Sequence, residues 1–161
     1  MNKIFSCVSM LLLTLVIVCG SAFAQNLPSG KGEHKQAITI GLLQGGGSLV
    51  GIDYEILISN NLGLQIGAGF IGFGASVNYH FKPQVNSSAI SFGIWNQGLL
   101  GERLGQRILG ITYLYRQQRG GLTAQIGLGT VIKVGELMED FYGGNPPLVI
   151  LLYSIGWYLK F

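Results

Sequence analysis

Apolar and polar residues alternate along most of this chain from about residue 37 onward. A period of two is typical of β-strands whose two faces lie in different environments. The alternation and the turn-forming residues between its blocks predict an all-β chain of eight strands: Ala37–Leu43, Val50–Ile58, Leu62–Phe70, Phe73–Phe81, Ala89–Trp95, Ile108–Arg116, Leu122–Lys133 and Leu148–Phe161.

The two faces of the predicted strands differ in composition. One face is aliphatic and aromatic, and Thr130 is its only aliphatic hydroxyl. The opposite face collects most of the strand glycines and the polar residues Thr39, Asp53, Glu55, Gln65, Ser76, Asn78, His80, Ser91, Thr112, Arg116, Thr123, Gln125, Lys133, Ser154 and Lys160. Trp95 falls on the polar face and stays unassigned.

The composition decides which face is predicted to point outward. The chain is 48% hydrophobic and 11% charged and contains 26 glycines. In a soluble barrel the glycine-rich face would meet water, whereas a membrane barrel turns its apolar face to lipid and keeps small and polar residues inside. No later segment reaches the roughly 18 apolar residues of a membrane helix. We therefore predict an eight-stranded, antiparallel, up-and-down transmembrane β-barrel over residues 37–161.

The first 24 residues are predicted to be a secretory signal peptide. Lys3 supplies positive charge, residues 8–18 are almost wholly apolar, and Ala22-Phe23-Ala24 is a cleavage pattern before Gln25. An uncleaved anchor and a lipoprotein signal centred on Cys19 are the alternatives. Residues 25–36 are predicted to be a flexible periplasmic leader.

Both cysteines, Cys7 and Cys19, lie in the predicted signal peptide. Disulfides, thiol nucleophiles and thiolate metal sites are therefore not expected after cleavage. Ten Lys and Arg against seven Asp and Glu make the full chain weakly basic, without a charge run that indicates a nucleic-acid partner.

The last residues carry a family resemblance. Apolar and aromatic residues alternate through Tyr153, Ile155, Trp157 and Leu159 to a terminal Phe161. This segment resembles the closing strand of bacterial outer-membrane barrels, and the predicted barrel as a whole resembles the small OmpA/OmpX type. The resemblance implies an outer-membrane location, outer-membrane lipids and lipopolysaccharide as partners, and insertion by the barrel-assembly machinery, for which Trp157, Leu159 and Phe161 would be the signal.

Five ionisable residues are predicted to form a polar cluster in the lumen: Asp53, Glu55, His80, Arg116 and Lys160. Buried charges are costly unless they pair, so we expect Glu55 to bridge Arg116 or Lys160, with Asp53 one layer higher. Eight strands leave room for side chains but for no open channel. No cofactor or metal site is predicted.

The function predicted from these features is structural or surface-interacting rather than enzymatic. Ser76 and His80 share a face, but four residues of strand separate them by roughly 13 Å, so they cannot pair. Ser91 is the nearest conceivable partner of His80 for a lipid-modifying acyl hydrolase or transferase, which remains an alternative, as does a narrow pore. Arg103 and Arg107 lie in a predicted outer loop, where lipid phosphates or water would contact them.

Overall fold

The computed structural model describes residues 34–98, 104–118 and 121–161. The predicted signal peptide and the leader up to residue 33 lie outside the described residues. The strands are β1 Gln36–Leu42, β2 Val50–Leu57, β3 Leu62–Gly69, β4 Gly72–His80, β5 Ala89–Gln97, β6 Gln106–Arg116, β7 Leu122–Val134 and β8 Ile150–Lys160.

The strands form a closed barrel in sequence order. Every neighbouring pair is antiparallel, and β1 pairs with β8 from Ala37–Lys160 to Leu42–Ile155. The prediction of an eight-stranded up-and-down barrel is thereby confirmed, with strand ends within two residues of those expected. Two short helices were not predicted, α1 Gln44–Gly47 between β1 and β2 and α2 Glu136–Phe141 between β7 and β8.

The two ends of the barrel differ. The end that we call the turn end carries the links 58–61 and 81–88, the end of β6 at Arg116 and the start of β7 at Leu122. Gln36 and Phe161 also lie there and exchange backbone hydrogen bonds of 3.1 and 3.0 Å. The opposite end, called the loop end, carries the links 43–49, 70–71 and 135–149, which include both helices, together with the end of β5 at Gln97 and the start of β6 at Gln106.

The outer face of the barrel is apolar. The exposed large side chains on the strands are Ile40, Leu42, Val50, Ile52, Leu64, Ile66, Phe73, Val77, Tyr79, Ile90, Phe92, Ile94, Ile111, Tyr113, Tyr115, Ile126, Leu128, Ile132, Leu151, Tyr153, Ile155, Trp157 and Leu159. They come from every strand of the barrel, so the apolar surface surrounds it.

The lumen, in contrast, is lined by polar side chains. Those buried on the strands are Thr39, Asp53, Glu55, Ser76, Asn78, His80, Ser91, Thr112, Arg116, Thr123 and Ser154. Glycines share this face and let the strands approach closely: a Cβ on Gly41 would lie 2.4 Å from the Cα of Gly156 on β8.

One residue is on the other face from the one predicted. A register shift between Arg107 and Ile108 makes Arg107 pair with Lys133 and Ile108 with Val131. The extra residue, Ile132, breaks the period of two, because a β-bulge sets two residues against one. Lys133 is therefore exposed on the outer face and does not lie in the lumen.

No helix in the described part of the chain is long and apolar enough to cross a membrane.

Candidate functional site

A layer of buried side chains crosses the lumen near the turn end. Glu55 of β2, His80 of β4 and Arg116 of β6 are each at most 3% exposed, and Tyr158 of β8 completes the layer. The strands follow one another around the barrel in sequence order, so the four residues come from alternate strands. β2 and β6 therefore lie on opposite sides of the lumen. We call these four residues the lumen layer.

Glu55 is the centre of this layer. Its Oε2 lies 2.6 Å from Arg116 Nη1, and its Oε1 lies 2.8 Å from His80 Nε2. Asn78 donates a hydrogen bond from Nδ2 to the same Oε1 and another, of 2.7 Å, to Gln65 Oε1. A carboxylate with a cation and two further polar partners is stabilised despite its burial.

Arg116 connects the layer to the turn that closes this end. The Arg116–Glu55 contact is an ion pair by distance, while the hydrogen bond from Nη1 goes to the backbone oxygen of Val85. The Tyr158 ring lies under the guanidinium, 5.3 Å from Cζ to the ring centroid, which adds a cation–π contact.

The turn 81–88 folds back over the lumen. Val85 is fully buried and packs in one apolar cluster with Ala37, Leu57 and Tyr158. Ser87 is also buried, and its Oγ donates to the backbone oxygens of Lys82 or Ser88 at 3.2 and 3.1 Å. The turn therefore covers the lumen layer with a tight polar and apolar cap.

Gly63 of β3 makes room for the carboxylate. A Cβ at this position would lie 2.5 Å from Glu55 Oε1 and 3.3 Å from His80 Nε2. Only a residue without a side chain fits here without displacing the layer.

The predicted cluster is only partly brought together. Glu55, His80 and Arg116 are in contact, whereas Asp53 is buried two residues nearer the loop end of β2, where it has an interaction partner of its own. Lys160 is half-buried beside Ala37 on β1, and within the described residues no ion pair joins it to Glu55.

His80 does meet a serine, but not the one that the sequence suggested. Its Nδ1 lies 3.3 Å from Ser87 Oγ and 3.2 Å from the Ser87 backbone oxygen, while Ser91 pairs in register with Asn78. Alternation along strands carries no information about a turn that folds back. The apolar Val85, which stands between the polar residues Gln84 and Asn86, was the one available signal.

Ser87, His80 and Glu55 stand in the order of a hydrolase triad, with Ser87 Oγ 3.3 Å from His80 Nδ1 and Glu55 Oε1 2.8 Å from His80 Nε2. A nucleophile must reach its substrate, yet Ser87 is 3% exposed. Its hydroxyl also accepts from the Lys82 backbone N at 3.3 Å, and His80 Nδ1 faces a carbonyl that can only accept. These contacts fit a structural anchor for the turn better than an activated nucleophile.

The loop end of the lumen is covered by α1. The helix contacts β1 to β5 and β8, and Gln44 is buried with its Nε2 donating to Ser154 Oγ at 3.0 Å. Leu43 turns the chain inward with a φ of 59°, in the left-handed region that side chains other than glycine seldom adopt. Beneath α1 a cavity of about 220 Å³ is lined by residues that include Trp95, Thr112, Gln125 and Ser154, which assigns Trp95 to the lumen.

The residues of the predicted insertion signal lie at the turn end of β8. Trp157 and Leu159 are exposed on the outer face, and Phe161 follows the strand as a half-buried residue. Among the described residues, no group of three His, Cys, Asp or Glu side chains is placed to hold a metal ion.

No family model, curated protein or solved structure matches this chain.

Proposed function

We propose that this chain is an integral β-barrel of a bacterial outer membrane, with a closed lumen and a structural or surface-interacting role. The observation that carries the proposal is the inverted distribution of polarity. Isoleucine, leucine and aromatic side chains surround the outside, while charges and amides are buried inside. In water this arrangement would expose the apolar face and bury the costly groups, whereas in lipid both faces are favourable.

Aromatic residues at both ends support this location. Tyr79, Phe81, Tyr113 and Tyr115 are exposed near the turn end, and the Phe81 and Tyr113 rings stack at 6.2 Å. Phe70 and Phe73 are exposed near the loop end. Such girdles are typical at the two interfaces of membrane barrels. In this proposal the turn end faces the periplasm, the N-terminal segment is removed on export, and the barrel-assembly machinery reads β8.

A closed lumen is the reason for preferring a structural role. The Arg116–Glu55 pair crosses the barrel, the turn 81–88 covers one end, and α1 covers the other. Small barrels are filled by side chains in this way. We expect the reconstituted protein to give no steady conductance in a planar bilayer, and a stable open channel would favour the narrow pore instead.

Lipid quenching tests the location. The protein is refolded into vesicles that contain brominated lipids, and Trp fluorescence is compared with vesicles of unbrominated lipid. Trp157 is 55% exposed on the outer face, so strong quenching is expected, and Trp157→Phe should remove most of it because Trp95 lies in the lumen. In a detergent gel the unheated protein should migrate differently from the boiled protein. A soluble monomer without quenching would contradict the proposal.

The lipid-modifying enzyme is tested separately through the turn. Ser87→Ala and His80→Gln are compared with wild type in an acyl hydrolase and transferase assay on outer-membrane lipids. We expect all three proteins to be equally inactive. Activity in the wild type that both substitutions abolish would replace the structural role by an enzymatic one.

A further inference from the structure

A row of polar side chains lies on the outer face at the loop end. The register pairs Asn96 of β5 with Arg107 of β6, and Arg107 with Lys133 of β7. Arg107 and Lys133 are exposed, and Arg107 Nε donates to Asn96 Oδ1 at 3.4 Å. We call these three residues the basic row.

The β-bulge is what completes the basic row. Without the extra residue Ile132, strict alternation would direct Lys133 into the lumen, away from Arg107. With it, two cations are register partners at the loop-end margin of the apolar outer face. Lys133 has an interaction partner within the chain, so the positive charge that an anion could approach here is mainly that of Arg107.

The basic row borders the apolar surface directly. The next outward pairs along these strands are Ile94 with Leu109 and Leu109 with Thr130, followed by Phe92 with Ile111 and Ile111 with Leu128. None of these residues is charged. In a membrane barrel, the step from uncharged to basic side chains marks the level of the lipid headgroups.

A groove of about 430 Å³ lies at the basic row. Its lining combines Arg107, Lys133 and Asn96 with Phe70 and Phe73, which are exposed aromatic residues. The groove thus offers cationic donors next to apolar rings, the combination that a charged headgroup with attached acyl chains would contact.

We propose that this groove binds the phosphate group of an outer-leaflet lipid, with the acyl chains lying along Ile94 and Leu109. The proposal rests on the outer-membrane location proposed above. Arg107 supplies the main contact, because a guanidinium matches phosphate with two parallel hydrogen bonds and the Asn96 amide holds its orientation. Lys133 already has an interaction partner within the chain and adds positive charge.

Binding of diphosphoryl lipid A to the full-length protein in neutral detergent micelles tests the site, with native mass spectrometry as the readout. We expect R107Q/K133Q to bind this lipid about tenfold or more weakly, as loss of charged hydrogen bonds implies. The matched control K35Q/K82Q removes two cations at the turn end and should bind like the wild type. Dephosphorylated lipid A should bind the wild type as weakly as the diphosphoryl lipid binds R107Q/K133Q.

Three results would overturn the site: equal binding of diphosphoryl lipid A by R107Q/K133Q and wild type, equal binding of dephosphorylated lipid A, or competition by inorganic phosphate at the same concentration as the lipid. The last would indicate a site for free anions. The Trp157 quenching experiment, on the same purified protein refolded into brominated vesicles, separates this failure from that of the proposed location. Quenching without phosphate-dependent binding rejects the groove alone, and absence of quenching rejects the membrane location.

Discussion

At the scale of single residues, Arg116 combines three interactions that join separate parts of the barrel. It pairs with Glu55 across the lumen, donates to the Val85 backbone oxygen, and lies over the Tyr158 ring. Removal of one member of a buried ion pair leaves the other charge without compensation in a medium that solvates it poorly. The stability of the barrel therefore depends on this residue more than on the other cations of the strands.

We expect R116M to lower the free energy of unfolding by about 3–5 kcal/mol. The substitution removes the cation beside the buried Glu55 carboxylate and leaves His80 and Asn78 as its partners. Urea unfolding of the protein in lipid vesicles, followed by Trp fluorescence, measures the change. The control K160M removes a half-buried cation at the turn end and should lower the free energy of unfolding by less than about 1 kcal/mol. Adding E55Q to R116M should recover part of the loss, and strictly additive losses would contradict the coupling.

Ser91 gives a prediction of opposite sign. Its Oγ is buried and has no hydrogen-bond partner among the described residues. A buried hydroxyl without a partner costs about 1–3 kcal/mol of desolvation, so S91A should leave the free energy of unfolding unchanged or raise it.

The control for S91A is T123V. Thr123 is equally buried, but its Oγ1 donates to the Tyr115 backbone oxygen at 3.0 Å, so its loss should destabilise the barrel. A larger loss in S91A than in T123V, measured by the same unfolding curves, would argue against an unsatisfied hydroxyl.

Much of the residue-level arrangement could be predicted because the direction of a strand side chain is a local property. Alternation alone directs Glu55, His80 and Arg116 to one face. It could not predict the partners of His80, since Ser87 reaches it from a turn, or the position of Lys133, since a bulge reverses the parity beyond it.

At the scale of elements, the turn 81–88 and the helix α1 act as covers at the two ends. The turn is tied down by the buried Val85 side chain and by the hydroxyl of Ser87, which contacts both Lys82 and Ser88. Neither cover could be predicted from hydrophobic alternation. Their conformations depend on contacts with strands that are distant in sequence. A strand, in contrast, can be predicted from the alternation of its own residues.

We expect V85A/S87A to lower the free energy of unfolding by about 2–4 kcal/mol. Each lost buried methyl group costs about 0.8 kcal/mol, and each lost hydrogen bond costs about 1 kcal/mol. Hydrogen exchange should also accelerate at the His80 and Phe81 amides, which bond to Asn61 and Ser88. The neighbouring S88A serves as control, and equal effects of the two variants would show that the turn contributes no specific anchoring.

At the scale of the whole molecule, closure between β1 and β8 removes both sheet edges, so no strand is left with a free row of backbone groups. A closed barrel could be predicted from the sequence, because the chain has an even number of strands with alternating apolar and polar residues and its apolar face is suited to lipid. The register could not be predicted, because it depends on how far each strand is shifted against its neighbour.

A disulfide tests the closure. Ile38 and Leu159 are register partners across the β1–β8 seam, and both lie on the outer face. In a chain with Cys7 and Cys19 replaced by serine, I38C/L159C should crosslink under mild oxidation and change mobility in a non-reducing gel. The control I38C/I126C joins β1 to β7, which are not neighbours, and should remain reduced. Equal crosslinking of the two pairs would contradict the closed seam.

The residues of the lumen layer come from alternate strands. For a barrel in the proposed membrane location, this affects the order in which the strands can enter lipid. Glu55 and Arg116 cannot meet until β2 and β6 stand on opposite sides of an almost complete ring. A strand that crossed the bilayer alone would carry its charge into hydrocarbon without a counterion. In the membrane location proposed above, stepwise insertion would therefore be unfavourable for this sequence. We expect the strands to cross the bilayer together, so that the charges pair as the ring closes.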